Sequence, residues 1–320
     1  MLIAQQLQTL SPIYRAGIWK PRTSPHSFQG IGDEGLSWLR AVKERFGMRV
    51  ATEVATPEQV HKALDAGVDY LWIGARTSAN PIAVQEIANQ LDERCQGVMV
   101  KNPVNEDAEL WIGNIARVQA KGIEVMAIHR GCNHQPCWKM AYTLRKHVPD
   151  VALLLDPSHM SGDSGKIESL MRIAEELEYD GMMVESHITP SRALSDSRQQ
   201  ITPHELTDML LSVAGTEVEH TTLLELRWMR QMMDETDDRL WEIVRQRMEL
   251  SHEIGAWKWA HNMAVLQPER KQAVIDRRLV WAEEHGVSPE TVREVVEVIH
   301  RESVRVQETH LNSSSQGERD

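Results

Sequence analysis

The chain has 320 residues, enough for two domains or one large one. Its formal net charge of −12 argues against general binding to nucleic acid or anionic membranes. Cys95, Cys132 and Cys137 cannot make a disulfide framework, and there is no long apolar span or basic-start signal peptide, so a soluble cytoplasmic protein is expected.

Residues 1–210 alternate between two periods. Strands are predicted at Ile13–Trp19, Met48–Ala55, Tyr70–Ala75, Val98–Lys101, Glu124–His129, Val151–Asp156 and Met182–Ser186. Helical stretches lie between them, for example Pro57–Ala66 and Lys166–Glu178. A spacing of roughly 25–30 residues is that of repeated βα units on a parallel sheet. Most of the runs are apolar throughout rather than alternating, as in strands covered on both faces.

The runs also end alike. Lys20 and Arg22 follow the first, Arg76 follows LWIGA, Lys101 follows VMV and Arg130 follows AIH; His159 follows LLLDPS and Glu185 ends MMVE. In a βα barrel these positions line the C-terminal mouth, where converging cations suit phosphates and a carboxylate. A solvated loop charge explains any one of them, but five at equivalent positions strain that explanation. His159, Glu185 and Asp196 are candidate metal ligands, and their mixed nitrogen and oxygen donors suit Mn, Fe or Zn better than Mg or Ca. The cluster Cys132-Asn-His-Gln-Pro-Cys137 is a formal metal candidate too, read here as a variable loop with free thiols.

The pattern stops at LSVAGTEVEHTT, which reads as a linker. The division is therefore a barrel over 1–210, a linker over 211–221, a helical domain over 222–311 and a frayed polar tail over 312–320. The first helix of the helical domain is predicted at about Thr222–His261. The second starts near Pro268 with Gln267 at its cap, and the third starts at Ser288-Pro289-Glu290. On the first, Leu226, Arg230, Met233, Asp237, Leu240, Val244, Arg247, Ser251, Ile254 and Lys258 share one seam. On the third, Val292, Val296 and Ile299 share a face with Ser303 and Gln307. Cations on a buried seam need partners or snorkel to solvent. Three on one seam point to a pocket for a small dianion. A first helix of roughly 60 Å is too long for two shorter ones to cover, which predicts a homodimer.

The stretches MRQMMDETDDRLWEIVRQRMELSHEIGAWK, LQPER and HRESVRVQ closely resemble the all-helical chorismate mutases over about residues 223–310. The resemblance implies that Arg230 binds a substrate carboxylate in the partner subunit's site and that Arg247 binds one in its own. It places Lys258 and Gln307 on the ether oxygen, with Gln267, Arg270 and Ser303 completing the pocket. Gln267 stands where some members carry an acid, and its amide can still hydrogen-bond a hydroxyl. No cofactor is implied.

RAGIWKPRTSP, WIGAR, VMVKNP, HRG, LDPSH, VESH and ALSD resemble the type I-beta synthases of 3-deoxy-D-arabino-heptulosonate 7-phosphate (DAHP), some of which carry a C-terminal mutase. The resemblance covers about residues 3–210 and implies condensation of phosphoenolpyruvate with erythrose 4-phosphate. It assigns Arg15, Lys20, Arg76, Lys101 and Arg130 to phosphoenolpyruvate, and Arg22 and Thr23 to the sugar phosphate. His159, Glu185 and Asp196 would hold a divalent metal of the Mn, Fe, Zn or Co class, and Lys101 would transfer a proton.

That family has an eight-stranded TIM-type (β/α)8 barrel whose first strand carries Gly-Pro-Cys-Ser, with the cysteine as fourth metal ligand. No such motif occurs here, and MLIAQQLQTL reads as the helix that follows strand one. The expected fold is thus a barrel lacking strand one, with seven βα strands, open edges and an apolar groove beside them, followed by an all-α three-helix domain. A start at an internal methionine is favoured over a barrel that has lost its activity, because every later motif is intact. The mutase reaction is expected in this chain, whereas the condensation needs the missing strand. The alternatives are a mutase with a degenerate regulatory or phospho-metabolite-binding barrel, and a non-enzymatic binding module dimerised by the helices.

Overall fold

The computed structural model describes residues 1–22, 24, 26–133, 135–214 and 224–314. The strands are β1 (Ile13–Arg15), β2 (Arg49–Val54), β3 (Tyr70–Ile73), β4 (Gly97–Lys101), β5 (Glu124–His129), β6 (Ala152–Leu155) and β7 (Gly181–Met182). In chain order the helices are α1 (Leu2–Leu7), α2 (Glu34–Phe46), α3 (Pro57–Asp65), α4 (Ala75–Ser78), α5 (Pro81–Ala88), α6 (Ala108–Gln119), α7 (Trp138–His147), α8 (Pro157–Ser161), α9 (Ile167–Glu176), α10 (Pro203–Ala214), α11 (Leu224–Ala260), α12 (Pro268–His285) and α13 (Pro289–Ser314).

All seven strands form one parallel sheet in sequential order. Sequential parallel order is what βα repeats with right-handed crossovers produce. β3 and β4 are buried at every position, as their unbroken apolar runs predict. Ala51, Tyr70, Trp72, Met99, Ile128 and Met183 pack as one cluster; Val50, Leu71, Val98 and Leu153 join a second, with helix residues such as Leu39, Val60, Ile115 and Leu144. The helices start where the sequence signals it. Thr56, Asn80 and Asp107 accept backbone N–H groups of α3, α5 and α6, and α3 and α5 open on proline.

The outer strands are shorter than predicted: β1 ends at Arg15 rather than Trp19, and β7 spans two residues rather than Met182–Ser186. Each pairs on one side only among the described residues, so no second ladder extends it. β3 also stops at Ile73, because Ala75 already belongs to α4. An apolar cleft of about 320 Å³, lined by Met1, Tyr14, Ala16, Gly35, Trp38, Leu39, Ala41 and Val42, runs beside β1.

Two compact units emerge, the first covering Met1–Glu235 and the second beginning at Thr236. The segment Leu224–Glu235 of α11 packs within the first. Trp228 is 2% exposed, with its ring centroid 6.3 Å from Trp138, 6.1 Å from Tyr142 and 5.8 Å from Tyr179. Aromatic clusters of this geometry add to plain area burial. The Glu235 carboxylate accepts the backbone N–H groups of Cys137 (2.6 Å) and Trp138 (3.0 Å) at the start of α7. Of the predicted linker, 211–214 is the last turn of α10 and 215–221 lies outside the described residues. Of the predicted tail, 312–314 continues α13 and 315–320 lies outside them.

In the second unit, α11 and α13 meet where a Cβ on Gly255 would stand 2.8 Å from Gln307 Cα. Only glycine allows that approach. Gly255→Ala is therefore expected to push the helices apart, at a cost of about 1–3 kcal/mol. Thermal unfolding checks this, and an unshifted Tm would show that the crossing tolerates a methyl group.

Candidate active sites

The first site forms at the C-terminal ends of the strands. Lys101 ends β4 with its side chain 6% exposed, and its Nζ lies 2.6 Å from Asp156 Oδ2. Asp156 follows β6 and is fully buried. It also accepts the backbone N–H of His159 (3.1 Å) and faces His159 Nδ1, 2.9 Å from its Oδ2. Burial alone would raise the Asp156 carboxyl. The charges of His159 and Lys101, the His159 hydrogen bond and Arg15 outweigh it and hold the group well below the usual carboxylate range. Asp156 thus orients two candidate site residues at once.

A carboxylate on Nδ1 leaves His159 Nε2 free, 3.8 Å from Glu185 Oε1. One donor atom each of His159, Glu185 and Asp196 lies within 4.8 Å of the others, a group able to hold a metal ion. Glu185 Oε2 is buried without a hydrogen-bond partner, an orphan acceptor that a cation would satisfy. The donor set therefore fits a divalent metal. Asp196 is also held by Lys20 (3.2 Å) and by Arg22 (3.0 Å). Burial opposes its ionisation, but these two cations keep its carboxyl strongly depressed.

The predicted cations do not all behave alike. Arg15 lies 3.7 Å from Glu185 and over the Trp72 ring, while its buried Nε and one terminal nitrogen lack hydrogen-bond partners. Those idle donors suit an anionic ligand. Lys20 also donates to Ser195 Oγ (2.7 Å) and Arg22 to Phe28 O (3.3 Å). Arg76 donates to Pro21 O (3.4 Å). Arg130 is anchored by its backbone N–H on Asn102 Oδ1 (2.7 Å), and burial lowers its guanidinium pKa against the pull of Asp156. Thr23 lies outside the described residues.

Two residues escaped the sequence reading. Asp156 sat inside the motif LDPSH without a role. Glu53 of β2 was a strand residue, yet burial raises its carboxyl against the opposing charges of Lys101, Lys20, His159 and Arg15. Gly74 makes room for it, since a Cβ there would collide with Glu53 Oε1. An acid inside a strand-like run was the available signal.

The second site lies between α11 and α13. Lys258 Nζ donates to Gln307 Oε1 (3.1 Å) and Val265 O (2.7 Å). Arg247 donates to Ser303 Oγ and to Ile299 O (3.4 Å). Ser251, Ser303 and Gln307 are buried. Burial lowers the pKa of both Arg247 and Lys258, and Arg278 lowers Arg247 further. His300 is depressed by burial and then by Lys271, Arg247 and Lys258. The pocket is thus strongly positive, with Arg278 and Lys271 adding charge that the seam pattern did not reveal. Gln267 stands at the N-cap of α12 without a side-chain cap bond. Arg270 is exposed, as is Arg230 in the part of α11 within the first unit.

The seam itself is only partly buried in one chain. Met233, Leu240 and Ile254 are 63%, 51% and 49% exposed, so these apolar members of the predicted seam face outward in a single chain. The thiols of Cys132 and Cys137 are free, as read from the sequence, and both are buried.

Residues 229–308 match the chorismate mutase type II family. Over 91 residues the chain is 31% identical to 4-amino-4-deoxychorismate mutase of Streptomyces venezuelae, covering 28% of this chain and 88% of that one. It is 28% identical over 196 residues to phospho-2-dehydro-3-deoxyheptonate aldolase of Thermotoga maritima, covering 59% of this chain. The chain spans 56% of that relative's length. A crystal structure of the Thermotoga maritima DAHP synthase superposes with a TM-score of 0.58 at 26% identity, covering 66% of this chain and 62% of that one. With residues 1–222 matching that family as well, the chain belongs to the DAHP synthetase I family and carries a chorismate mutase type II segment behind its barrel.

Proposed function

We propose that the chain belongs to a cytoplasmic enzyme of the shikimate pathway, with a chorismate mutase active in the chain itself and a DAHP synthase barrel whose condensation also requires a first strand carrying Gly-Pro-Cys-Ser. The proposed domains are a synthase barrel over 1–210 and a mutase over 222–311. The mutase reading rests on one observation above all: Lys258 and Gln307, 49 residues apart, join in one hydrogen bond beside the Arg247–Ser303 pair. A cationic pocket among helices suits a dicarboxylate, and chorismate needs no nucleophile to rearrange to prephenate. The chain has only to hold the reactive conformer and stabilise negative charge on the ether oxygen. Gln307 Oε1 already accepts from Lys258, so its amide Nε2 remains to donate to that oxygen beside the ammonium. Arg247 and Arg230 bind the carboxylates, with Gln267, Arg270 and Ser303 around them. Conversion of chorismate to prephenate in the presence of EDTA tests this reading, and its absence would defeat it.

The exposed seam of α11 is the reason to propose a homodimer, with Arg230 serving the partner's site. Two inactive variants, Arg230→Ala and Arg247→Ala, are then expected to recover activity when mixed, because one site of the mixed dimer carries neither change. No recovery after verified subunit exchange would remove the shared site.

In the barrel, Arg15, Lys20, Arg76, Lys101 and Arg130 bind phosphoenolpyruvate, and Arg22 and Thr23 bind erythrose 4-phosphate. Lys101, paired with Asp156, moves a proton at Nζ. A divalent metal on His159, Glu185 and Asp196 would supply a Lewis acid for the aldehyde oxygen. His159→Ala is expected to weaken Mn²⁺ binding by roughly 100-fold or more in titration calorimetry while sparing the mutase. Unchanged Mn²⁺ affinity would move the metal elsewhere.

A further inference from the structure

The mutase reading leaves one withdrawn cation without a task. Of the Lys, Arg, Asp and Glu residues between Asp237 and Glu308, only Arg247, Lys258, Lys271 and Glu302 are half-buried, and the others are exposed. Glu302 is held by its near neighbour Arg305 (2.8 Å). Arg247 donates to Ser303 Oγ and Ile299 O, and Lys258 to Gln307 Oε1 and Val265 O. The Lys271 side chain makes no hydrogen bond or ion pair among the described residues. A half-buried ammonium with nothing to donate to is costly unless a ligand supplies the acceptor.

The helix geometry points Lys271 inward. Val265 O accepts from Lys258 Nζ (2.7 Å), which ties the chain just before α12 to the pocket. Gln267 follows as the N-cap residue, its side chain unused in capping. The Lys271 backbone N–H donates to Gln267 O (3.0 Å), so the two residues stand one turn apart on the same face. Ile275 and Ala282 continue that face at 4% and 0% exposure. The face is therefore the one α12 turns to the bundle. The charge of Lys271 also reaches His300 of α13, which burial depresses first and Lys271 further.

We propose that Lys271 is a specificity-determining residue of the mutase pocket, one that selects a hydroxyl at C4 of the substrate, as in chorismate, against an amine there. This rests on the mutase reading above and adds the group that tells two substrates apart. An ammonium carries three donors and no acceptor, whereas an amide oxygen accepts. Lys271 can thus donate to the C4 hydroxyl oxygen while Gln267 takes the hydroxyl proton. An amine at C4 is protonated near neutral pH and has donors only. It leaves Lys271 without an acceptor and sets two like charges side by side, with no half-buried carboxylate free to neutralise them. The Streptomyces venezuelae relative is named for 4-amino-4-deoxychorismate, the substrate that this arrangement disfavours.

The full chain and its Lys271→Glu and Lys271→Met variants are compared on chorismate and 4-amino-4-deoxychorismate, by steady-state kinetics and by calorimetry, with circular dichroism to establish folding. The parent should favour chorismate by roughly 100-fold or more in kcat/KM and in affinity. Lys271→Glu should move that ratio by roughly 100-fold toward the amine, because the repelling charge becomes an attracting one. Lys271→Met, which keeps the stem and removes the charge, should fall between them. A parent that handles both compounds equally, or binds neither, would overturn the proposal. So would a folded Lys271→Glu protein with the parent's ratio. Failure of the parent to turn over either compound while calorimetry still shows the expected preference would count against the mutase reading alone.

Discussion

Lys258→Ala is expected to lower chorismate turnover by roughly 100-fold or more, the scale of losing one preorganised donor to a developing oxyanion. The argument is geometric. Lys258 is half-buried, fixed by Val265 O and Gln307 Oε1, and so is held before substrate arrives. Removing it also frees Gln307 to rotate, which spoils a second donor. The pH dependence has a definite sign. Burial lowers the Lys258 pKa from its ordinary value, so the charged form, and with it the rate, should fade at a lower alkaline pH than an exposed lysine allows. Steady-state kinetics with matched circular dichroism decides the matter. A Lys258→Ala protein that folds and turns over chorismate near the parent rate would end the assignment.

Asp156→Ala is expected to destabilise the barrel by about 3–5 kcal/mol, because it leaves the Lys101 ammonium buried and unpaired. The pair is among the least exposed ion pairs of the described residues, with side chains at 6% and 0%. The same substitution releases His159, so Mn²⁺ affinity should fall with stability. Replacing both partners by apolar residues of similar size should recover most of the stability and none of the metal affinity. The linkage to pH follows from the depressed carboxyl. Its contribution is fully present above the unfolded-state value of roughly 3.9 and is lost as pH falls through the lower folded value. The parent should therefore lose stability below about pH 4 by a step that Asp156→Ala lacks. Denaturant unfolding of the barrel transition measures both, and a change under about 1 kcal/mol would show that Lys101 finds another partner.

Much of this protein was legible in its sequence because its signals are local. The strand order follows from βα spacing, since a short crossover leaves each strand only its predecessor to pair with. The starts of α12 and α13 follow from proline at the first turn. Lys101, His159 and Glu185 were found because strand ends repeat at one level of a barrel, and Arg247, Lys258, Ser303 and Gln307 because helical faces repeat every three or four residues.

What the tertiary structure alone decided concerns partners distant in sequence. Periodicity says which face a residue occupies, but not what lies opposite. That is why Asp156 emerged as the residue orienting both Lys101 and His159, and why Glu53 and Arg278 entered their sites unannounced. It is also why the burial of the free thiols Cys132 and Cys137 was not legible beforehand. The first turns of α11 make the same point. Their seam pattern continues without a break, yet Trp228 and Glu235 belong with the first compact unit, because an aromatic pocket around Trp138 and the open N–H groups of α7 were there to receive them. Local sequence sets what each segment can be, and desolvation and hydrogen-bond satisfaction across the fold set what each side chain does.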